Sequence, residues 1–278
     1  LAARIVKAAG PQTGVVGTFH IAPHSAIVHF SSWLLGKLTR RAVRRFDEFI
    51  SVSQVAQEFA WQTYGIESAI IPNTLHLAEF YNAKPLPDYQ QTTNIVFLGR
   101  LVERKGCGLL LRAVKRLHDS QLLPSHCKVI ICGGGPLEAE LKAYVMQNDL
   151  SSFVEFTGFI SEADKPRYLA AADIAVYPST GGESFGIVLL EAMAAARGAV
   201  LAGNNPGYAS VVGERPEALF DPKDEIQFAA KLQKFLDAPV TREKAHNWQQ
   251  QFVRQFDVPN VADEIMVIYD QALHKRRS

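Results

Sequence analysis

Glu183 and Glu191 are separated by seven residues in the segment Gly181-Gly182-Glu183-Ser184-Phe185-Gly186-Ile187-Val188-Leu189-Leu190-Glu191. The segment follows the apolar run DIAVYP and opens the helical run IVLLEAMAAA. A glycine turn leading from a strand into a helix aims free backbone N–H groups and the positive end of the helix dipole at one point. That suits a phosphate, and glycine lets the backbone approach it closely. The dipole alone would favour Glu183 there. Glu191, lodged between Leu190 and Ala192, is harder to explain, because an unpaired buried carboxylate costs several kcal/mol. A ligand hydroxyl is its simplest partner. A hydrolytic pair is disfavoured: eight helical steps of about 1.5 Å put the two backbones about 12 Å apart, beyond the roughly 5–9.5 Å between hydrolytic carboxyl groups. Two carboxylates so spaced can instead hold two different sugars of one ligand.

A second cluster, Gly99-Arg100-Leu101-Val102-Glu103-Arg104-Lys105-Gly106, comes directly after the apolar run NIVFL. Loops at the carboxyl ends of parallel strands are where open α/β sheets bind ligands. Arg100 as a planar fork and Lys105 as a point charge suit a diphosphate. A solvated charged loop is the alternative, and it weakens once the glycine turn is considered with it. Gly133 and Gly134, in GGGP after KVIIC, lie at another such strand end, although Pro136 at a first helical position also fits a plain tight turn. Phe159 and Ile160, after VEFTG, can offer main-chain groups to a base edge. His20 ends the run GTFH and should project from a carboxyl edge, either structurally or functionally. Ser51-Val52-Ser53 supplies hydroxyls and a helix N-cap, mainly a structural role.

These loops need strands and helices behind them. Apolar and period-2 runs alternate with helical periodicity almost throughout, which predicts an α/β fold with parallel strands joined by crossover helices. Strands are expected at 14–19, 48–52, 69–71, 95–99, 128–132, 154–157, 174–177, 199–202 and 218–220. The stretch 82–93, with Pro85, Pro87 and the polar run QQTTN, looks like a linker. The expected organisation is therefore a partial first domain at 1–85, a ligand-binding domain at 86–260 and a terminal helix at 261–278. Three parallel strands bury their faces poorly alone, so the first domain reads as truncated, a small complete cap being the alternative.

With 278 residues, 47% of them hydrophobic and 21% charged, the chain can bury a sizeable core. Its 29 basic and 28 acidic residues leave a net charge of +1, so nothing global favours nucleic acid as a partner. Three cysteines, Cys107, Cys127 and Cys132, lack zinc spacing and make no disulfide framework, which points to a reducing cytoplasm. No metal is assigned to His24, His29 and His76. No run reaches the roughly 18–20 apolar residues of a membrane span, and the start shows no leader pattern. Lys37, Arg40, Arg41, Arg44 and Arg45 share a helical stretch with Trp33, Leu34, Leu35, Leu38, Val43 and Phe46. Such a helix either rests on anionic lipid or is the solvated face of a packed helix.

The order GTFH, ISVS, a Pro-Asn turn, Gly-Arg with Lys five residues after the Arg, GGGP, GF and GGESFGIVLLEAMAA resembles the retaining glycosyltransferases of family 4. The resemblance spans almost the whole chain, and within the family it is nearest to bacterial phosphatidylinositol mannosyltransferases. It implies the GT-B fold, two Rossmann-like domains facing across a cleft. Further implied are Arg100 and Lys105 on the diphosphate of a nucleotide sugar, Glu183 on the sugar hydroxyls and Glu191 on the ribose. Gly99, Gly133, Gly134, Phe159, Ile160, Gly182, Ser184, Phe185, Gly186, Ile187 and Val188 would border the donor, with His20 reaching over from the first domain. The implied reaction transfers a hexose with retention and without metal or cofactor, by departure of the diphosphate as the acceptor hydroxyl attacks the same face. The nearest likeness implies GDP-mannose as donor and a phosphatidylinositol-type lipid as acceptor, and the family more broadly a glycan or lipid acceptor, with the enzyme cytoplasmic at the inner face of the membrane. The alternatives are a UDP-sugar-dependent glucosyl- or N-acetylglucosaminyltransferase and a non-catalytic nucleotide-sugar-binding module. Two departures stand out: Pro72-Asn73-Thr74-Leu75-His76 where many relatives have Pro-Asn-Gly-Val-Asp, and Ala196-Arg197-Gly198 where a glycine is expected after EAMAA.

Overall fold

The computed structural model describes residues 6, 8–22, 26–213 and 215–277. The first residues of the opening helical run, His24, the side chains of His29 and Arg40, and Ser278 lie outside the described residues. The chain forms two compact units. One comprises Leu1–Thr74, Gly182–Gly186 and Gln255–Ser278, the other Leu75–Gly181 and Ile187–Arg254.

In the first unit, β1 (Val16–Phe19), β2 (Glu48–Ser51) and β3 (Ala69–Ile70) form a parallel sheet in the order β1-β2-β3. Helix α1 (Ala26–Val43) connects the first two strands and α2 (Gln54–Tyr64) the next two. Gly36 lets α1 approach α2 closely, since a Cβ there would lie 2.3 Å from the Thr63 carbonyl oxygen. Ser53 caps α2 by accepting from the Ala56 amide at 3.1 Å, and left-handed Gly65 ends it.

The second unit opens with α3 (Leu77–Tyr81) and continues through β4 (Thr93–Leu98), α4 (Cys107–Asp119), β5 (Cys127–Cys132), α5 (Glu138–Gln147), β6 (Val154–Gly158), α6 (Lys165–Ala170) and β7 (Ile174–Tyr177). It ends with α7 (Ile187–Ala195), β8 (Ala199–Gly203), α8 (Pro206–Val212), β9 (Leu219–Phe220), α9 (Glu225–Asp237) and α10 (Pro239–Phe252). Its six parallel strands run in the order β6-β5-β4-β7-β8-β9. That is the doubly wound arrangement, whose switch point falls between β4 and β7. Runs such as NIVFL, KVIIC and IAVY are continuously apolar because both faces of a parallel sheet are covered. Ile95, Phe97, Val129, Ile131, Ile174 and Val176 turn one way into a core with Leu110, Leu111, Phe228 and Leu232 of α4 and α9.

Every expected strand is present, with ends displaced by at most two residues. The unit boundary differs from the expected 85/86 and falls between Thr74 and Leu75. Leu75, Leu77 and Phe80 are buried, and the stretch read as a linker is anchored by Tyr89. The Tyr89 hydroxyl donates to Glu155 at 2.8 Å, its ring lies 5.9 Å from that of Tyr168, and its carbonyl accepts from Asn94 at 2.7 Å. A proline-rich, polar composition can cover a surface as well as span a gap. The terminal helix, α11 (Val258–Arg277), is no separate segment: Val261 packs with Ile50 and Ile71 of the first unit, and Arg276 pairs with Asp47 at 2.8 Å.

Candidate active site

The chain leaves the carboxyl edge of the second unit's sheet after each of its six parallel strands, and the loops after β4, β5 and β6 are joined beyond the ends of their strands. Gly99 N donates to Cys132 O at 3.0 Å, Leu101 N to Gly134 O at 3.0 Å, and Gly133 N to Gly158 O at 2.8 Å. This close approach requires glycine at position 133, where φ is +131° and a Cβ would lie 2.1 Å from the Gly99 carbonyl oxygen. The loop after β7 is tied in as well: Thr180 N at 2.9 Å and the Ser179 hydroxyl at 3.1 Å both donate to Arg104 O. The result is a rigid cradle at the switch point.

A cavity of about 450 Å³ opens over this cradle. Of the residues singled out in the sequence, Gly99, Arg100, Lys105, Gly133, Gly134, Phe159, Ile160, Val188 and Glu191 all line it. Arg100 is exposed at the mouth and Lys105 half-buried, and Phe159 presents 86% of its surface to solvent. Two cations on one wall and a carboxylate on α7 give the cavity both signs of charge.

Five lining residues are not among those candidates: Leu98, Arg104, Cys132, Glu162 and Lys165. Lys165 changes the interpretation of Glu191. Its ammonium lies 2.8 Å from Glu191 Oε1 and 2.6 Å from Glu162 Oε2. The partner of the buried carboxylate is thus a lysine of the protein, and no ligand hydroxyl is needed to explain its burial. The Lys165 ammonium neutralises Glu191 across the contact between α6 and α7, as a buried charge demands. Burial still holds the Glu191 carboxyl above the usual carboxylate value, with Lys165 opposing the rise. Burial pulls the Lys165 ammonium down, but its bonds to Glu162 and Glu191 outweigh this and the net shift is upward. Burial pushes the Cys132 thiol up to about 12, so it is a neutral wall. A cation for Glu191 was implied by its burial, and the charge pair Glu162 and Lys165 beside Pro166 was the available signal.

The remaining candidates, Ile187 excepted, belong to the first unit. Gly182, Glu183, Ser184, Phe185 and Gly186 form a loop bracketed by positive-φ glycines, +72° at Gly182 and +100° at Gly186. Phe185 is buried edge-on against Phe256, with ring centroids 5.8 Å apart at 71°. The Ser53 hydroxyl donates to the Ser184 carbonyl. His20 stands exposed one residue beyond β1, where Phe19 O accepts from Val52 N at 3.2 Å. Ile187 opens α7 with 41% of its surface exposed and is not among the cavity-lining residues. Of the two sequence departures, Arg197 has a structural use, since its guanidinium reaches Thr92 O at 2.7 Å and Asp173 at 2.6 Å. That contact lies at the opposite, amino edge of the sheet.

Residues 82–252, more than half of the chain, match the family described as Glycosyl transferases group 1. A phosphatidyl-myo-inositol mannosyltransferase of Mycobacterium tuberculosis is 32% identical over 268 residues, covering 92% of this chain and 67% of that protein. Among solved structures, the chain is similar to Anabaena HepE in complex with UDP and glucose, with a TM-score of 0.75 at 22% identity over 91% of this chain and 70% of that one. Sucrose-phosphate synthase from Thermosynechococcus elongatus gives a TM-score of 0.74 at 22% identity, covering 94% of this chain and 68% of that one. These likenesses show the GT-B fold.

Proposed function

The chain belongs to the group 1 glycosyl transferases, and from that membership we propose that it transfers mannose from GDP-mannose, with retention, to a hydroxyl of a phosphatidylinositol-type lipid. The observation that carries this proposal is the cavity in which Arg100, Lys105 and Glu191 meet over a cradle of glycines. A nucleoside diphosphate has complementary chemistry: anionic oxygens for the two cations, and ribose hydroxyls that donate to a carboxylate. Lys165 opposes the burial that favours the protonated form of Glu191, and the ionised form is the one that accepts.

In this proposal Glu183 accepts from sugar hydroxyls, and His20 serves the reacting end of the donor from the first unit. Gly99, Gly133, Gly134, Ile160 and Val188 border the nucleotide. The bond from the anomeric carbon to the diphosphate breaks with its electron pair on the leaving oxygen, and the acceptor hydroxyl attacks the same face as its proton passes to that oxygen. Arg100 and Lys105 stabilise the charge that accumulates on the diphosphate, the largest catalytic contribution expected of fixed cations. No metal or cofactor is assigned a role.

The lipid acceptor is supported by α1. Trp33, Leu34, Leu35 and Leu38 are exposed, Leu38 to 76%, and the Lys37 ammonium sits 3.7 Å from the Trp33 ring centroid. Arg41, Arg44 and Arg45 are exposed nearby. An apolar stripe beside basic residues suits the anionic inner face of a membrane, each surface cation contributing about 1 kcal/mol. No helix among the described residues is long and apolar enough to cross one. Flotation with liposomes tests this contact: recovery should rise with anionic lipid, and equal recovery with neutral lipid would reject it.

A second donor class is favoured by one specific observation, the UDP-bound state of the similar Anabaena structure. Incubation with GDP-mannose, UDP-glucose or UDP-N-acetylglucosamine and phosphatidylinositol vesicles, followed by mass spectrometry of the lipid, separates the two. A mannosylated lipid is expected. A product formed only from a UDP-sugar would reject GDP-mannose as the donor.

A further inference from the structure

Ser53 does more than its N-cap requires. It is 4% exposed, directly after β2, and its hydroxyl oxygen accepts from Ala56 N at 3.1 Å to start α2. A cap needs only a lone pair, and Asp, Asn or Thr would supply one. The hydroxyl proton is therefore available for a second bond, and the structure directs it to Ser184 O, 131 residues later in the chain. Both residues lie within the first unit.

The recipient loop is one whose direction depends on being held. Gly182 and Gly186, at φ of +72° and +100°, are conformations L side chains rarely adopt, so each end of Glu183-Ser184-Phe185 is a swivel. Contacts that hold the three residues between them include the Ser53 bond to the Ser184 carbonyl and the edge-on contact of Phe185 with Phe256. Phe185 contributes burial, which tolerates rotation. The hydrogen bond to Ser184 is directional and fixes the Ser184–Phe185 peptide plane, one residue beyond Glu183. Ser53 is itself fixed, because Val52 N donates to Phe19 O at 3.2 Å and Ile71 N to Ser51 O at 3.0 Å.

We propose that Ser53 is a positioning residue: its hydroxyl fixes the Gly182–Gly186 loop and thereby the direction of Glu183. The consequence for sugar recognition rests on the assignment of Glu183 to the sugar hydroxyls made above. The loop clamp itself does not.

Three variants separate the clamp from the cap. Ser53→Thr keeps acceptor and donor, Ser53→Asp keeps the acceptor without a donor, and Ser53→Ala loses both. Hydrogen exchange of the amides from 183 to 187 reads the clamp directly. Exchange should rise roughly tenfold in the Asp and Ala variants, as for one lost hydrogen bond, and stay near wild type in the Thr variant. Unchanged exchange in the Asp variant would overturn the clamp even if the Ala variant fails to fold. Titration with GDP and with GDP-mannose reads the consequence. In the Asp variant GDP affinity should stay within about twofold, while the ratio of GDP-mannose to GDP affinity falls roughly fivefold, part of one charged hydrogen bond. Faster loop exchange with an unchanged ratio would overturn the link from Ser53 to sugar recognition. Absence of GDP binding by the wild-type chain would instead reject the donor assignment, while exchange would still decide the clamp.

Discussion

The ammonium of Lys165 lies 2.8 Å from Oε1 of Glu191, and both side chains are largely buried, at 16% and 11% exposure. The pair joins α6 to α7 at the floor of the cavity, and Glu162 shares the same ammonium at 2.6 Å. Removing the lysine leaves two carboxylates without their shared cation, one of them buried. Lys165→Met should therefore lower stability by about 2–3 kcal/mol at pH 7.5, below the roughly 3–5 kcal/mol of a fully buried broken pair because the cavity admits water. The loss should shrink on acidification, as Glu191 takes up a proton and ceases to need a partner. Urea unfolding at pH 7.5 and 5 checks this. A loss that grows towards pH 5 would contradict it.

The pH dependence of nucleotide binding follows from the same carboxyl. Burial raises the Glu191 pKa against the opposing pull of Lys165, so the folded chain holds this proton to higher pH than the unfolded chain does. A raised carboxyl favours the folded state at low pH, and that contribution is lost as pH rises through the folded value. Donor binding runs the other way, since only ionised Glu191 accepts from two ribose hydroxyls. GDP affinity should fall on acidification, with a midpoint above the ordinary carboxylate value, and Glu191→Gln should flatten the profile. Isothermal titration across pH checks both, and a wild-type profile flat down to the ordinary value would remove Glu191 from the ribose.

Gly133 has no room for a side chain. Its φ is +131° and a Cβ would meet the Gly99 carbonyl oxygen at 2.1 Å. Gly133→Ala should cost about 1–3 kcal/mol through overpacking and backbone strain. It should also weaken GDP binding by pushing apart the loops after β4 and β5. A variant with wild-type urea midpoint and GDP affinity would show that the cradle is not built on this approach.

Glu183→Gln keeps the shape of the side chain and removes its charge. GDP affinity should be unchanged while transfer slows roughly ten- to a hundredfold, the effect of one or two charged hydrogen bonds in the transition state. Wild-type turnover would take Glu183 out of the reaction.

The strands were legible in the sequence because a parallel sheet covered on both faces demands uninterrupted apolar runs, and few other structures do. The same logic located Arg100, Lys105, Gly133 and Gly134, which follow those runs within a few residues. Lys165 was missed because its partner Glu191 lies 26 residues away, on a helix that meets α6 only by packing. Periodicity says which face is buried and nothing about which charge waits there. The stretch around Pro85 and Pro87 misled for a related reason: one aromatic anchor, Tyr89, outweighs a loose composition. Gly182–Gly186 lies with the first unit although its chain neighbours lie with the second. Ser53 and Phe256 of the first unit both contact the loop, and neither contact is visible as spacing.

Calorimetric titration of the chain with GDP and UDP, with Arg100→Ala measured in parallel, bears most directly on the donor site. Saturable binding of GDP, weakened about ten- to 150-fold in the variant through loss of roughly 1.5–3 kcal/mol of charged hydrogen bonding, is the expected result. A folded chain that binds neither nucleotide, or binds GDP equally well without Arg100, would contradict the assignment of the cavity to a nucleoside diphosphate.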